Sequence, residues 1–175
     1  MGERTPAVGR TRSRRRFIKR VIGGGVGASM AVAAGGSSLS AQNGGPIRAF
    51  DHVSLPMRNT DAMLRFYRDL GLPVNEGPQI CSVHLGDQKI NLHRPAFWQS
   101  ESFTLRAPAA EPPCGDFCVV WDGTVEALRD LLDRVGAEII EGPVERVGGG
   151  DGGAARGTSH YIRDPDGNLV EFIIY

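Results

Sequence analysis

The feature that most constrains this chain is a pattern that occurs twice. In the first copy, Asp51-His52-Val53-Ser54-Leu55 precedes a helical stretch that starts at Thr60 and stops at Gly71. In the second, Asp116-Phe117-Cys118-Val119-Val120 precedes a helical stretch that starts at Thr124 and stops at Gly136. His52 lies eight residues before Thr60, and Asp116 lies eight before Thr124. Each copy closes on an alternating strand with one more ligand type: His93 in Lys89-Ile90-Asn91-Leu92-His93, and Glu171 in Asn168-Leu169-Val170-Glu171-Phe172. Two modules related by a pseudo-twofold would lay His52 over Asp116 and His93 over Glu171. Two histidines with two carboxylates suit a divalent metal, and Zn, Ni, Mn and Fe(II) all accept such a set.

Hydrophobic periodicity fills in the elements between these points. Residues 47–55 alternate as a strand, and Asn59-Thr60-Asp61 offers an N-cap for a helix whose Met63, Leu64, Phe66, Tyr67 and Leu70 fall on one stripe. Strands are predicted at 72–75, 80–85 and 88–93, the last two joined by a Gly86-Asp87 hairpin turn. Residues 94–115 hold four prolines and little alternation, so they read as a linker. The second half repeats the order, with a strand at 116–121, a helix at 124–135 and strands at 138–140, 158–162 and 169–174. The six glycines of 147–157 predict a flexible loop, which accounts for the longer spacing from Asp116 to Glu171, 55 residues against 41 from His52 to His93. Asp164-Pro165-Asp166-Gly167-Asn168 is a turn in which Asp accepts backbone N–H groups and Pro presets the second position. It fixes how far Glu171 stands into the last strand.

Ahead of the repeat, Ser13-Arg14-Arg15-Arg16-Phe17-Ile18-Lys19 matches the twin-arginine export consensus, and a weakly apolar stretch of 14 residues follows at 21–34. That length is short of the roughly 20 residues a membrane-spanning helix needs, so no stable membrane insertion of the mature chain is expected. Residues 1–41 read as a twin-arginine (Tat) signal peptide and 42–46 as a short linker, which makes the Tat export machinery a partner and the periplasm or the extracellular space the destination. Residues 1–20 carry 8 of the 20 Lys and Arg but 1 of the 20 Asp and Glu. The mature domain therefore keeps 12 basic and 19 acidic side chains, a net charge of −7. Nothing in that balance favours nucleic acid or an anionic membrane surface. Three cysteines make no disulfide framework; Cys81 and Cys118 alternate with apolar residues as buried thiols would, Cys114 sits in a loop, and one bridge stays open.

A βαβββ unit repeated twice, with Asp51-His52-Val53, the run 64–71, the run 86–93 and Tyr161-Ile162-Arg163-Asp164-Pro165-Asp166-Gly167-Asn168-Leu169-Val170-Glu171, resembles the vicinal oxygen chelate superfamily. That superfamily includes glyoxalase I, fosfomycin-resistance enzymes, extradiol dioxygenases and bleomycin-resistance proteins. The resemblance covers residues 47–175 and implies an α+β fold in which module one (47–93), the linker (94–115) and module two (116–175) form one open barrel. It implies ligands from the first, fourth, fifth and eighth strands, here His52, His93, Asp116 and Glu171. The fifth-strand position is usually His, so Asp116 departs from the pattern and weakens the match to the dioxygenases.

What the resemblance implies for function is metal-dependent, glyoxalase-like lyase or isomerase chemistry on a small oxygenated substrate, with the metal chelating two vicinal oxygens. It leaves open a metal-free protein that sequesters a drug or metabolite, an extradiol-type dioxygenase, and a homodimer. No catalytic base stands out. His84 and His160 lie in strands as candidate acid/base groups, and Arg94 and Arg163 are candidate anion binders.

Overall fold

The computed structural model describes residues 46–175; the expected signal peptide, and the linker up to residue 45, lie outside the described residues. Each module makes one four-stranded sheet. In module one β1 (His52–Pro56), α1 (Thr60–Asp69), β2 (Val74–Asn75), β3 (Ile80–Leu85) and β4 (Gln88–His93) give the order β1-β4-β3-β2. A four-residue helix α2 (Pro95–Trp98) opens the linker. In module two β5 (Asp116–Val120), α3 (Val125–Val135), β6 (Glu141–Val147), the short α4 (Gly150–Gly153), β7 (Arg156–Arg163) and β8 (Leu169–Ile174) give β5-β8-β7-β6. The first and last strands of each module pair in parallel, and the other pairs are antiparallel. The expected α+β architecture of two βαβββ modules is the one observed.

Both long helices stop where a glycine takes up left-handed backbone, Gly71 at φ 86° and Gly136 at φ 71°, a conformation that costs other residues about 1 kcal/mol or more. α3 is capped by Thr124 Oγ1, which accepts from Ala127 N at 3.2 Å. α1 is not. The Asn59 amide turns away from its own helix and donates to Asp166 Oδ1 at 2.8 Å, so the residue at the cap position fastens the modules together instead.

Several predicted boundaries move. Residues 47–51 are irregular and β1 begins only at His52, because just five residues have a partner on β4, from His52 opposite Lys89 to Pro56 opposite His93. The strand expected at 138–140 lies at Glu141–Val147, paired with β7 past an irregularity between Glu141 and Val144. The glycine-rich stretch forms a tight turn at α4, in which Asp151 and Gly152 take up left-handed backbone.

One apolar core serves both modules. Val53, Leu55, Ile90 and Leu92 of the first sheet, Phe117, Val119, Val170 and Phe172 of the second, and the stripes of α1 and α3 all enter it. Tyr67, Leu72 and Ile90 of module one share an apolar cavity of about 100 Å³ with Phe117, Val119 and Phe172 of module two. The helix-side faces of the two sheets therefore meet within one chain. Side chains alternate between faces along a strand, so the residues between these apolar positions point the other way.

Candidate functional site

That other, open face carries the expected ligand types, and the strand registers say how they correspond. His52 opens β1 and Asp116 opens β5, so these two are equivalent, as the pseudo-twofold requires. Glu171 faces Cys118, the third residue of β5. The third residue of β1 is Ser54, which faces Asn91. Asn91 is thus the module-one equivalent of Glu171, and the expected superposition of His93 on Glu171 is corrected. His93 faces Pro56, two residues and about 7 Å farther along the sheet. The sequence placed it wrongly because both residues share strand parity with their true counterparts, and parity does not fix register.

Each candidate has a distinct surrounding. His52 is exposed, and its Nδ1 is 2.6 Å from Asp51 Oδ1. With Nδ1–H donated to that carboxylate, Nε2 keeps its lone pair free, the orientation that carboxylates impose on metal-binding histidines. Asp116 is exposed. Glu171 is half-buried; Ser159 Oγ donates to its Oε1, Cys118 stands beside it, and Tyr161 faces it across the β7–β8 ladder. Tyr161 in turn accepts from Arg146 Nε at 2.9 Å. His93 is buried and sits edge-on to Phe97 at 5.4 Å and Phe103 at 5.2 Å. Burial holds its imidazole below the ordinary histidine range, in the neutral form.

Among the described residues of one chain, no three His, Cys, Asp or Glu side chains form a group able to hold a metal ion. Within one chain the structure sets Glu171 beside Cys118 and Ser159, with Asp116 two residues before Cys118 on the same strand face, while His52 and His93 lie in the other sheet. Donor types nevertheless fit a divalent metal: an imidazole nitrogen fixed by Asp51, and carboxylate oxygens from Asp116 and Glu171.

Cys118, expected to be buried, is exposed on the open face, and all three cysteines are free thiols. Partial burial and the neighbouring Glu171 carboxylate push its thiol up to about 12. His84 is tied to Ser82 Oγ at 3.0 Å and Asn75 Nδ2 at 3.1 Å. His160 is fully buried on the helix side and is out of reach of the open face, whereas His84 is half-buried on that face with hydrogen bonds at Nε2 alone. Arg94 is committed to Gly77 O at 2.8 Å and Glu76 at 3.1 Å, and Arg163 to Gly167 O at 2.8 Å.

The linker supplies what the sequence did not announce. It folds over the His93 end of the first sheet and encloses a cavity of about 380 Å³ lined by Ser54, Pro56, His93, Trp98, Leu105 and Arg106, with Ala107 and Ala110 behind them. That volume lies within the range of small-molecule sites. Trp98 is set in place by its indole N–H, which donates to Met57 O at 2.9 Å. In a segment without periodicity no pattern marks Trp98 or Arg106.

Residues 49–172 match the family model for the Glyoxalase/Bleomycin resistance protein/Dioxygenase superfamily. The chain is 34% identical over 131 residues to Virulence protein STM3117 of Salmonella typhimurium, covering 74% of this chain and 85% of that one. It is 32% identical over 130 residues to Glyoxalase domain-containing protein RDO1 of Mycosarcoma maydis, covering 74% and 69%. The crystal structure of the Salmonella protein superposes with a TM-score of 0.64, covering 74% of this chain and 98% of that one at 32% identity. A lactoylglutathione lyase from Agrobacterium tumefaciens superposes with a TM-score of 0.56 at 25% identity, covering 74% and 96%. With the fold, the registers and a family match over nearly the whole described region in agreement, the chain belongs to the glyoxalase/bleomycin resistance/dioxygenase superfamily.

Proposed function

We propose that the protein is an exported metal-dependent enzyme that acts on a small oxygenated substrate by glyoxalase-like lyase or isomerase chemistry. The observation that carries this reading is the pair of half-sites on the open faces: His52 with Nε2 freed by Asp51, and Glu171 held by Ser159 with Asp116 two residues before its partner Cys118. The metal would be held by His52 of one copy together with Asp116 and Glu171 of a second, in a homodimer that joins the open faces. Exposed apolar side chains on those faces support such a pairing, Val120 at 66% and Ile80 at 38% exposure. When bound, the metal would supply Lewis acidity to two neighbouring substrate oxygens. This chain's contribution is to fix the imidazole through Asp51 and to hold the Glu171 carboxylate, while Tyr161, whose oxygen accepts from Arg146, has its own hydroxyl proton free for a substrate oxygen.

Metal-loaded protein assayed against hemithioacetals, fosfomycin-like epoxides and catechols tests the reading. Turnover of one class that disappears on metal removal supports it. Tight binding of a ligand without turnover, in protein free of metal, favours the second reading, a sequestering protein, for which the roofed cavity next to His93 speaks. Export by the twin-arginine route rests on the motif at 13–19. Replacing Arg14 and Arg15 with Lys should block it, and continued secretion would refute it. Among the described residues no helix is long and apolar enough to cross a membrane.

A further inference from the structure

The cavity beneath the linker has a composition that selects its ligand. Pro56, His93, Trp98 and Leu105 line it, and the one charged side chain on its wall is Arg106. No acidic residue lines it, and among the described residues no carboxylate pairs with Arg106. The guanidinium donates only through Nη1, to the Ala110 and Pro108 carbonyls at 3.3 and 3.4 Å, both at the long end of the hydrogen-bond range. Its carbon lies 6.0 Å from the Trp98 ring centre, the outer limit of a cation–π contact. A half-buried cation against apolar walls, with weak neutral partners, has most of its donor capacity left for an anion.

A second group points the same way. His93 is 7% exposed, lines the cavity, and its ring nitrogens share no hydrogen bond with any other described residue. Its two neighbours are the aromatic rings of Phe97 and Phe103, which satisfy neither nitrogen. Unlike those of His160, these nitrogens are not sealed from solvent, so they stand open to a ligand in the cavity. Leu105, at 88% exposure, is left in water on the cavity rim and would gain from an apolar ligand body.

We propose that this cavity is a subsite for a small organic monocarboxylate, whose carboxylate pairs with Arg106 and hydrogen-bonds to His93 while its apolar body lies against Trp98, Pro56 and Leu105. A single guanidinium suits one negative charge. A phosphate dianion would call for a second cation, and the cavity has none. The inference rests on the reading that the open face binds small molecules, and it specifies what one end of the substrate carries.

Calorimetric titration of the full-length protein, stripped of metal by EDTA, keeps this question apart from metal binding. Phenylacetate should bind saturably, with phenylacetamide and phenyl phosphate each at least tenfold weaker. Arg106→Leu should lose tenfold or more of the phenylacetate affinity, Arg106→Lys should recover part of it, and Arg134→Leu, at an exposed arginine on α3, should bind as wild type does. Equal affinity for phenylacetate and phenylacetamide, no phenylacetate binding at all, or wild-type affinity in a folded Arg106→Leu protein would each overturn the proposal. A failure of metal binding in untreated protein leaves all of these outcomes readable.

Discussion

The Tyr67 hydroxyl on α1 donates to Asp164 Oδ2 at 2.9 Å, across 97 residues of sequence, and so ties the helix of the first module to the last turn of the second. Asp164 Oδ1 accepts from the backbone of Asp166 at 3.0 Å and of Asn168 at 2.9 Å, and the Asn168 side chain donates to Oδ2. Asn168 Oδ1 in turn accepts from the backbone N–H groups of Cys114 and Gly115, which brings in the start of β5. Asp166 receives Arg58 N and both the backbone and side chain of Asn59. The Asp-Pro-Asp-Gly-Asn turn is thus the polar clasp between modules, beside the apolar core they share.

The clasp makes a graded prediction. Tyr67→Phe removes one hydrogen bond to a charged acceptor and should cost about 1.5 kcal/mol. Asp164→Ala strands three N–H donors as well and should cost roughly 3 kcal/mol or more. Urea unfolding of the two variants checks the order. Equal costs would mean that the turn holds its shape without its carboxylate.

His160 makes a prediction about pH. It is fully buried, neither ring nitrogen has a partner, and burial, with Arg129 nearby, lowers its pKa below the ordinary 6.5. A lowered histidine pKa means that the folded state binds its proton less readily than the unfolded chain does. Stability is therefore complete above pH 6.5 and drains away as pH falls from there toward the folded value. His160→Leu should be neutral or stabilising by about 1 kcal/mol at pH 7, since it removes two unsatisfied nitrogens, and should flatten the loss below pH 6.5. Chemical denaturation at a series of pH values measures both, and an unchanged acid slope would contradict the assignment.

Cys118 is exposed yet should react slowly, because only the thiolate is nucleophilic and a pKa of about 12 leaves roughly one thiolate in ten thousand at pH 8. Glu171→Gln removes a neighbouring charge and should speed alkylation of Cys118 several-fold, a rate that mass spectrometry follows residue by residue. No change in rate would mean that Glu171 stands farther from the sulfur than the structure places it.

Much of the fold could be read from the residues themselves. The stripes Met63-Leu64-Phe66-Tyr67 and Leu128-Leu132, each ended by glycine, located both helices, and alternation located β3, β4 and β8 to the residue. Two things were not legible. Register is set by which backbone groups pair across strands, and nothing in Asn91-Leu92-His93 alone says that Asn91 and not His93 corresponds to Glu171. The cavity is built by the aperiodic linker, where Trp98 and Arg106 gain meaning only once the chain has folded back over His93. Asn59 illustrates a third difficulty, since a good local cap was diverted to Asp166, more than a hundred residues away.

A divalent metal held by half-sites from two copies is tested most directly by mixed variants. His52→Ala destroys one half of each site and Glu171→Ala the other, so each protein alone should hold no metal after dialysis. In a symmetric dimer with shared sites, a mixed pair keeps one intact site, and random exchange between equal amounts should recover about one metal per four chains. Metal stoichiometry of the exchanged mixture, beside wild type and each variant alone, gives the answer. Recovery to that level is the predicted result. A mixture that stays empty while wild type binds, or wild-type protein that holds no divalent metal more tightly than roughly micromolar, would contradict the account.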